Sequence, residues 1–268
     1  MLNLDRALSR PGATIRFAML GGDERPVVLI HGAGMDHSMF APQVLALRDA
    51  GHSVVAFDLR GHGASHLEPG ARFTGRAALD DLAALLDHLS LEQPALVGHS
   101  LGGNVAQALV RRDPGRAGAL VAVDSTWNTG PLSRGERNAL RLAAPALSLV
   151  PASRLPGMLA RASAVTPEAI TATETMFARM PKRVFLDVWR AAVGFVEPDA
   201  GYRVPVPLAL IRGELDRTGN IAAAMPEWAR AEGIGERVIA GAGHVVTLDA
   251  PDLTTAALLE VLAAAPHE

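Results

Sequence analysis

Ser100 stands in the run Gly98, His99, Ser100, Leu101, Gly102, a fit to G-x-S-x-G, and a further glycine follows at Gly103. An apolar run at 95–97 precedes it and a helical pattern through Val105, Leu109 and Arg112 follows, the setting in which this motif forms a nucleophile elbow. So tight a turn strains the serine backbone and leaves no room for side chains two residues to either side, which accounts for Gly98 and Gly102. A serine hydroxyl is a weak nucleophile until a base takes its proton. The chemistry therefore demands a histidine within reach and a carboxylate to orient it.

Of the 9 histidines, His244 fits best, because Gly241, Ala242, Gly243 and His244 form a small-residue loop after a late strand and before the last helix. His99 adjoins the serine but its side chain should point away from the elbow. His31 and His62 read as local hydrogen-bonding residues in glycine-bearing loops, and His37, His52, His66, His88 and His267 as surface residues. Asp216, just past the run Ile211, Arg212, Gly213, Glu214, Leu215, is the expected acid and gives the chain order serine, acid, histidine. Asp124, at the end of the run Val121, Ala122, Val123, and Glu214 are its rivals. A tetrahedral intermediate also needs two backbone amides. Leu101, after the serine, is expected to supply one and Ala33 the other, where Val28, Leu29, Ile30 run into His31, Gly32, Ala33, Gly34.

These residues need a rigid frame. Strand-length apolar runs at 27–30, 53–57, 95–97, 119–123, 207–211 and 237–240, after an antiparallel start at 15–20, alternate with helical patterns. The runs are continuous, as in strands buried on both faces, and predict an α/β protein with a mostly parallel sheet. Leu79, Leu82, Leu86 and Leu89 share one side of a helix that Thr74 can cap, and a final helix begins after Pro251. Between about 127 and 203 the rhythm breaks into short helical patterns separated by seven prolines, among them Pro131, Pro145 and Pro156. That stretch predicts a helical lid (127–203) inserted into a core made of 1–126 and 204–268.

Composition removes other readings. The 268 residues hold no cysteine, which excludes disulfide scaffolds, thiolate metal sites and cysteine nucleophiles. A net charge of −3 with scattered basic residues argues against nucleic acid. The early acid and the lack of a long apolar stretch argue against a signal peptide and a membrane span, so a cytoplasmic protein, monomeric or a small homo-oligomer, is expected.

Taken together the motifs resemble the α/β-hydrolase superfamily. His31–Gly34 is similar to its oxyanion loop, 58–65 to the loop after its next strand, 98–102 to its elbow, 213–216 to its acid turn and 243–244 to its histidine loop. The resemblance implies an eight-stranded sheet, a helical cap after the sixth strand, and neither a metal nor an organic cofactor. Its dehalogenases and epoxide hydrolases carry aspartate where this chain has Ser100, and its hormone-sensitive-lipase-like esterases carry a triple glycine that Ala33 interrupts here. What remains resembles small capped esterases and lactonases, carbon–carbon bond hydrolases and cofactor-free haloperoxidases. A carboxylesterase or lactonase is the leading expectation, with carbon–carbon hydrolysis, perhydrolysis or slow-turnover ligand sensing as alternatives. Met35, Trp127, Met158, Met176, Met180 and Trp189 are expected to line the pocket for a small uncharged ester or lactone, since methionine adapts to flexible groups.

Overall fold

The computed structural model describes residues 2–265. An antiparallel pair opens the chain, β1 (Arg6–Arg10) and β2 (Ala13–Leu20), followed by β3 (Glu24–Ile30), α1 (Ala41–Asp49), β4 (His52–Phe57) and the two-residue β5 (His66–Leu67). Then come α2 (Gly75–His88), β6 (Ala95–His99), α3 (Leu101–Arg112) and β7 (Ala119–Val123). Four helices precede the next strand: α4 (Arg134–Leu149), α5 (Leu155–Ser163), α6 (Pro167–Arg179) and α7 (Lys182–Gly194). The chain then runs through β8 (Leu208–Gly213), α8 (Ile221–Glu232), β9 (Glu236–Ile239), α9 (Val246–Asp249) and α10 (Pro251–Ala264).

The strands form one mixed sheet ordered β1-β2-β4-β3-β6-β7-β8-β9, with β5 paired to β2. From β4 to β9 every pairing is parallel, and β2 meets its neighbours antiparallel. The resemblance implied eight strands and nine are seen among the described residues, the two-residue β5 standing off the eight-strand path. The helical insertion accordingly follows the seventh strand in chain order, the sixth if β5 is left out.

Alternation within the central strands decides what packs where. Val27 and Leu29 of β3 join one apolar core with α1 and α10, while Val28 and Ile30 join the other with α2 and α3. Both faces are covered, as the continuous runs required. Each such Val, Leu or Ile contributes about 1.5–3 kcal/mol by leaving water. Thr74 caps α2 by accepting from the Ala77 amide at 3.2 Å.

Prolines in the insertion start helices more than they end them. Pro156 and Pro167 occupy the first turns of α5 and α6, where a missing N–H costs no internal bond. Pro145 overturns the expectation that each proline separates two helices, since it lies inside α4. Lys182, the sole lysine, donates from Nζ to the carbonyls of Ser148 (2.6 Å) and Val150 (2.5 Å), joining the end of α4 to the start of α7. Among the described residues no helix is long and apolar enough to cross a membrane.

Register sets up the site. Ile30 pairs with Gly98, Gly98 with Ala122, and Val123 with Ile211, so the carboxyl ends of β3, β6, β7 and β8 finish side by side. The loops that carry Ala33, Ser100, Asp124 and Asp216 leave from that common edge, where open α/β sheets place their ligands.

Candidate active site

Ser100 has φ 51° and ψ −117°, a left-handed conformation that a serine adopts only under constraint. The glycines around it supply that constraint. A Cβ on Gly98 would sit 2.5 Å from backbone atoms of Gly102 and Gly103, and one on Gly102 would strike the carbonyls of Ile30 and His31. The start of α3 is thus pressed against the end of β3. Gly32 runs alongside, since its Cβ would lie 3.3 Å from that of Ser100. Helix α3 begins at Leu101, whose amide belongs to the first turn and has no partner within the helix.

His244 Nε2 lies 3.1 Å from Ser100 Oγ, and His244 Nδ1 lies 3.0 Å from Asp216 Oδ2. The other Asp216 oxygen accepts from the Thr218 amide at 2.7 Å. Burial raises the Asp216 carboxyl, but His244 beside it and the bonds from His244 and Thr218 outweigh that and hold it below the usual carboxylate range. An ionised Asp216 fixes the proton on Nδ1 and leaves Nε2 free to accept from the serine. Of the rivals for this place, Glu214 faces the Gly241 amide at 2.9 Å, and Asp124 accepts from the Gly213 amide at 2.7 Å.

The remaining histidines divide by environment. His31 accepts from the Leu59 amide at 2.9 Å through Nε2 and donates from Nδ1 to the Gly32 carbonyl, so it braces the loop that carries Ala33 as a neutral ring. His62 donates to the Arg60 carbonyl, and burial pushes it down to about 3. His66 and His88 are exposed and His52 partly buried, while His267 lies outside the described residues. His37 is no free surface group. Its backbone amide and Nδ1 both bond the buried Asp58 carboxylate, and although burial opposes it, that bond raises the imidazole above its ordinary value.

Sequence reasoning gave His99 no role and expected its side chain to point away from the elbow, but its ring lies against Gly32, where a Cβ would be 2.5 Å from its Nδ1, and 4.8 Å from the His244 ring, centroid to centroid. Its Nε2–H donates to the His244 carbonyl at 2.7 Å, which pins the histidine loop. Burial lowers His99 to about 3, so the ring is neutral. Asp249 was missed outright. It accepts from the Val165 and Thr166 amides on the α5–α6 turn and from the Gly243 amide, tying the inserted helices to the residue next to His244. His99 had no local signal, since its partner lies 145 residues away, and for Asp249 only Gly243, 6 residues before it, is near in sequence, the others lying 83 and 84 residues away.

The residues expected to line the pocket do not stay together. Met35, Met176, Phe177 and Phe185 are buried in one cluster, and Met180 and Trp189 pack against it. A Cβ on Gly34 would strike the Phe177 ring and lie 3.3 Å from Phe185, so these rings rest on the loop beside Ser100. Met180, Phe177 and Phe185 also line a cavity of about 210 Å³ among α5, α6 and α7. Trp127 departs from the expectation, because it stacks on Trp228 of α8 (centroids 6.1 Å apart, planes within 4°) in a separate core. Met158 also departs, standing 39% exposed on α5.

One group among the described residues has the spacing of a metal site: Asp124, Asp216 and His244 place one ligand atom each within 4.8 Å of one another. Three of its four carboxylate oxygens are already engaged, by His244, Thr218 and Gly213.

Against known proteins, the Alpha/beta hydrolase family profile matches residues 27–257. The chain belongs to the α/β-hydrolase family. This hydrolase is 34% identical over 112 residues to a 2-hydroxymuconate semialdehyde hydrolase of a Pseudomonas species, a match covering 41% of this chain and 40% of that one. Its matches span only about two fifths of the length of such curated relatives. Among solved structures it is similar to a thermophilic esterase from Thermogutta terrifontis (TM-score 0.78, 28% identity, 97% of each chain). It also shares its fold with the enol-lactonase from Burkholderia xenovorans (TM-score 0.80, 23% identity, 96% of this chain and 100% of that one).

Proposed function

We propose that this α/β hydrolase is a serine hydrolase that cleaves a small, uncharged carboxylic ester or lactone. The observation that carries the reading is the unbroken contact from Ser100 Oγ to His244 Nε2 (3.1 Å) and from His244 Nδ1 to Asp216 (3.0 Å). Ser100 Oγ bonds to the substrate carbonyl carbon while its proton passes to His244 Nε2. Asp216 stabilises the imidazolium that results. The oxyanion is held by the amides of Leu101 and Ala33, which cost no reorganisation when the charge appears. Collapse expels the alkoxide, which takes the proton from His244 and leaves an acyl group on Ser100. A water then gives a proton to His244 and attacks the acyl carbon, and collapse releases the acid as Ser100 Oγ takes the proton back from His244.

Helices α4–α7, within residues 127–203, act in this reading as the cap. Arg179 of α6 bonds Asp36 at 3.2 Å and is thereby committed to the loop, which leaves an apolar wall of Met35, Met176, Phe177 and Phe185. Such a wall suits an uncharged acyl group. The esterase similarity over 97% of each chain supports the same bond type.

A second reading, hydrolysis of a carbon–carbon bond in a diketone, has one observation in its favour, the partial similarity to a semialdehyde hydrolase. It uses the same three residues. A panel of nitrophenyl esters, lactones and diketones, with a peroxide-dependent assay alongside, separates the two. The expected result is a burst of nitrophenol matching the enzyme concentration, labelling of Ser100 by an organophosphonate, and a kcat lower by about 10⁶-fold in Ser100→Ala, the order that loss of a triad serine costs. Wild-type turnover in Ser100→Ala would sink the serine mechanism.

A further inference from the structure

Asp124 has no part in the chemistry above, yet few residues are placed so deliberately. It is fully buried, it holds a left-handed backbone (φ 42°), and it stands at the end of β7 between Ser100 and Asp216. Its Oδ1 is taken by the Gly213 amide. Its Oδ2 is buried and finds no donor among the described residues. Asp124 and Asp216 each bring a carboxyl oxygen within 4.8 Å of the other and of a His244 nitrogen. Two bare carboxylates at that separation, out of water, repel strongly, whereas one proton between them removes both the repulsion and the orphaned oxygen.

We propose that Asp124 is a neutral carboxylic acid in the folded protein and donates its proton from Oδ2 to the Asp216 carboxylate, bracing Asp216 where it holds His244. Asp124 is then a positioning residue: it acts on His244 through Asp216 and never touches substrate. Burial and the Asp216 charge both push its carboxyl well above the usual range, against the Gly213 bond, which favours the anion. The charged or titratable groups that face it are Asp216 and His244 from their loops and Arg212 of β8. Arg212 favours the anion too, but its guanidinium is engaged by Glu236 of β9 at 3.0 Å.

Two consequences have definite signs. First, the unfolded chain releases the Asp124 proton near pH 4 and the folded protein keeps it, so wild-type stability is drained as pH rises above about 4. Asp124→Asn removes that drain and preserves the geometry: its amide oxygen accepts from Gly213, its N–H donates to Asp216, and asparagine tolerates a left-handed backbone. Second, the donor makes Asp216 less basic and so weakens its support of the His244 imidazolium. Losing a neutral donor strengthens that support, while losing an anion weakens it.

Thermal unfolding of wild type and Asp124→Asn from pH 5 to 8 tests the first consequence. The Tm of the variant minus that of wild type is expected to grow by about 4 °C or more across this range. A difference that is flat or shrinks overturns the proposal. Infrared spectra of folded wild type at about pH 8 need no variant; a protonated-carboxyl stretch lost on unfolding is expected, and its absence is equally fatal. For the second consequence, which rests on the hydrolase reading, the acid limb of the kcat/KM profile is expected about half a pH unit or more higher in Asp124→Ala and back at the wild-type position in Asp124→Asn. A downward shift in both variants makes Asp124 an anion. A Tm rise with added calcium or zinc in wild type alone would put a metal where the proton is proposed. The unfolding and infrared results do not depend on turnover, so they stand or fall apart from the assignment of Ser100.

Discussion

At Ser100 the backbone sits where a non-glycine residue costs of order 1–3 kcal/mol, and the close approaches of Gly98 and Gly102 are what keep it there. His99, its neighbour, shows how a site is braced from behind. The 2.7 Å bond from its ring to the His244 carbonyl fixes the loop from which His244 reaches toward Ser100. His99→Ala leaves that carbonyl without its donor and is expected to lower kcat about tenfold, because a small misplacement of a catalytic group is expensive. Steady-state kinetics on the best ester checks this, together with a Tm to separate misplacement from unfolding. A kcat within twofold of wild type would mean the loop is held by other contacts.

Among elements, the informative junction is the one between the inserted helices and the histidine loop. The Asp249 carboxylate holds the Val165, Thr166 and Gly243 amides, and Val245 donates to the Ser163 carbonyl at 3.1 Å. Asp249→Ala leaves three amides without their acceptor and is expected to cost about 1–3 kcal/mol, read by urea unfolding, with KM for the ester rising as α5 and α6 loosen. An unchanged KM would detach that junction from substrate binding. This contact also marks the limit of what the sequence carries. Central strands were legible because β3, β6 and β7 are buried on both sides and leave uninterrupted apolar runs. The edge strand β1, with only Ala7 and Leu8 among polar residues, leaves none, α1 escaped for want of a clear polar and apolar face, and α8 carries Pro226 in its interior. Ser100, Asp216 and His244 announce themselves because each sits in a turn whose glycines are local. Asp249, by contrast, acts only where the fold brings the distant Val165 and Thr166 amides to it beside the nearby Gly243 amide, and Trp127 was misplaced because nothing near it foretells Trp228.

For the whole molecule, buried histidines set the response to acid. His62 and His99 are held neutral by burial, each down to about 3, and burial lowers His31 in the same direction. An unfolded histidine takes up a proton near pH 6.5, so the stability these groups leave intact above that pH is lost as pH falls toward 3. Asp58, held low mainly by the His37 bond against the opposing effect of burial, adds a further loss below about 4. Urea midpoints are expected to fall steadily from about pH 6.5 downward, with each buried histidine adding at most about 1.4 kcal/mol per pH unit. His62→Gln should flatten the slope, and an unaltered slope would show that His62 is protonated in the native state.

The bond from Lys182 to the ends of α4 carries a practical corollary. Because the sequence holds a single lysine, succinimidyl esters and aldehyde supports meet one side-chain amine, and it lies at the joint between two of the inserted helices. An amine sharing its protons with two carbonyls is a poor nucleophile. The rate at which Lys182 is acylated therefore reads how often α4 and α7 part, and tethering the enzyme through it would lock or loosen that joint at one known point.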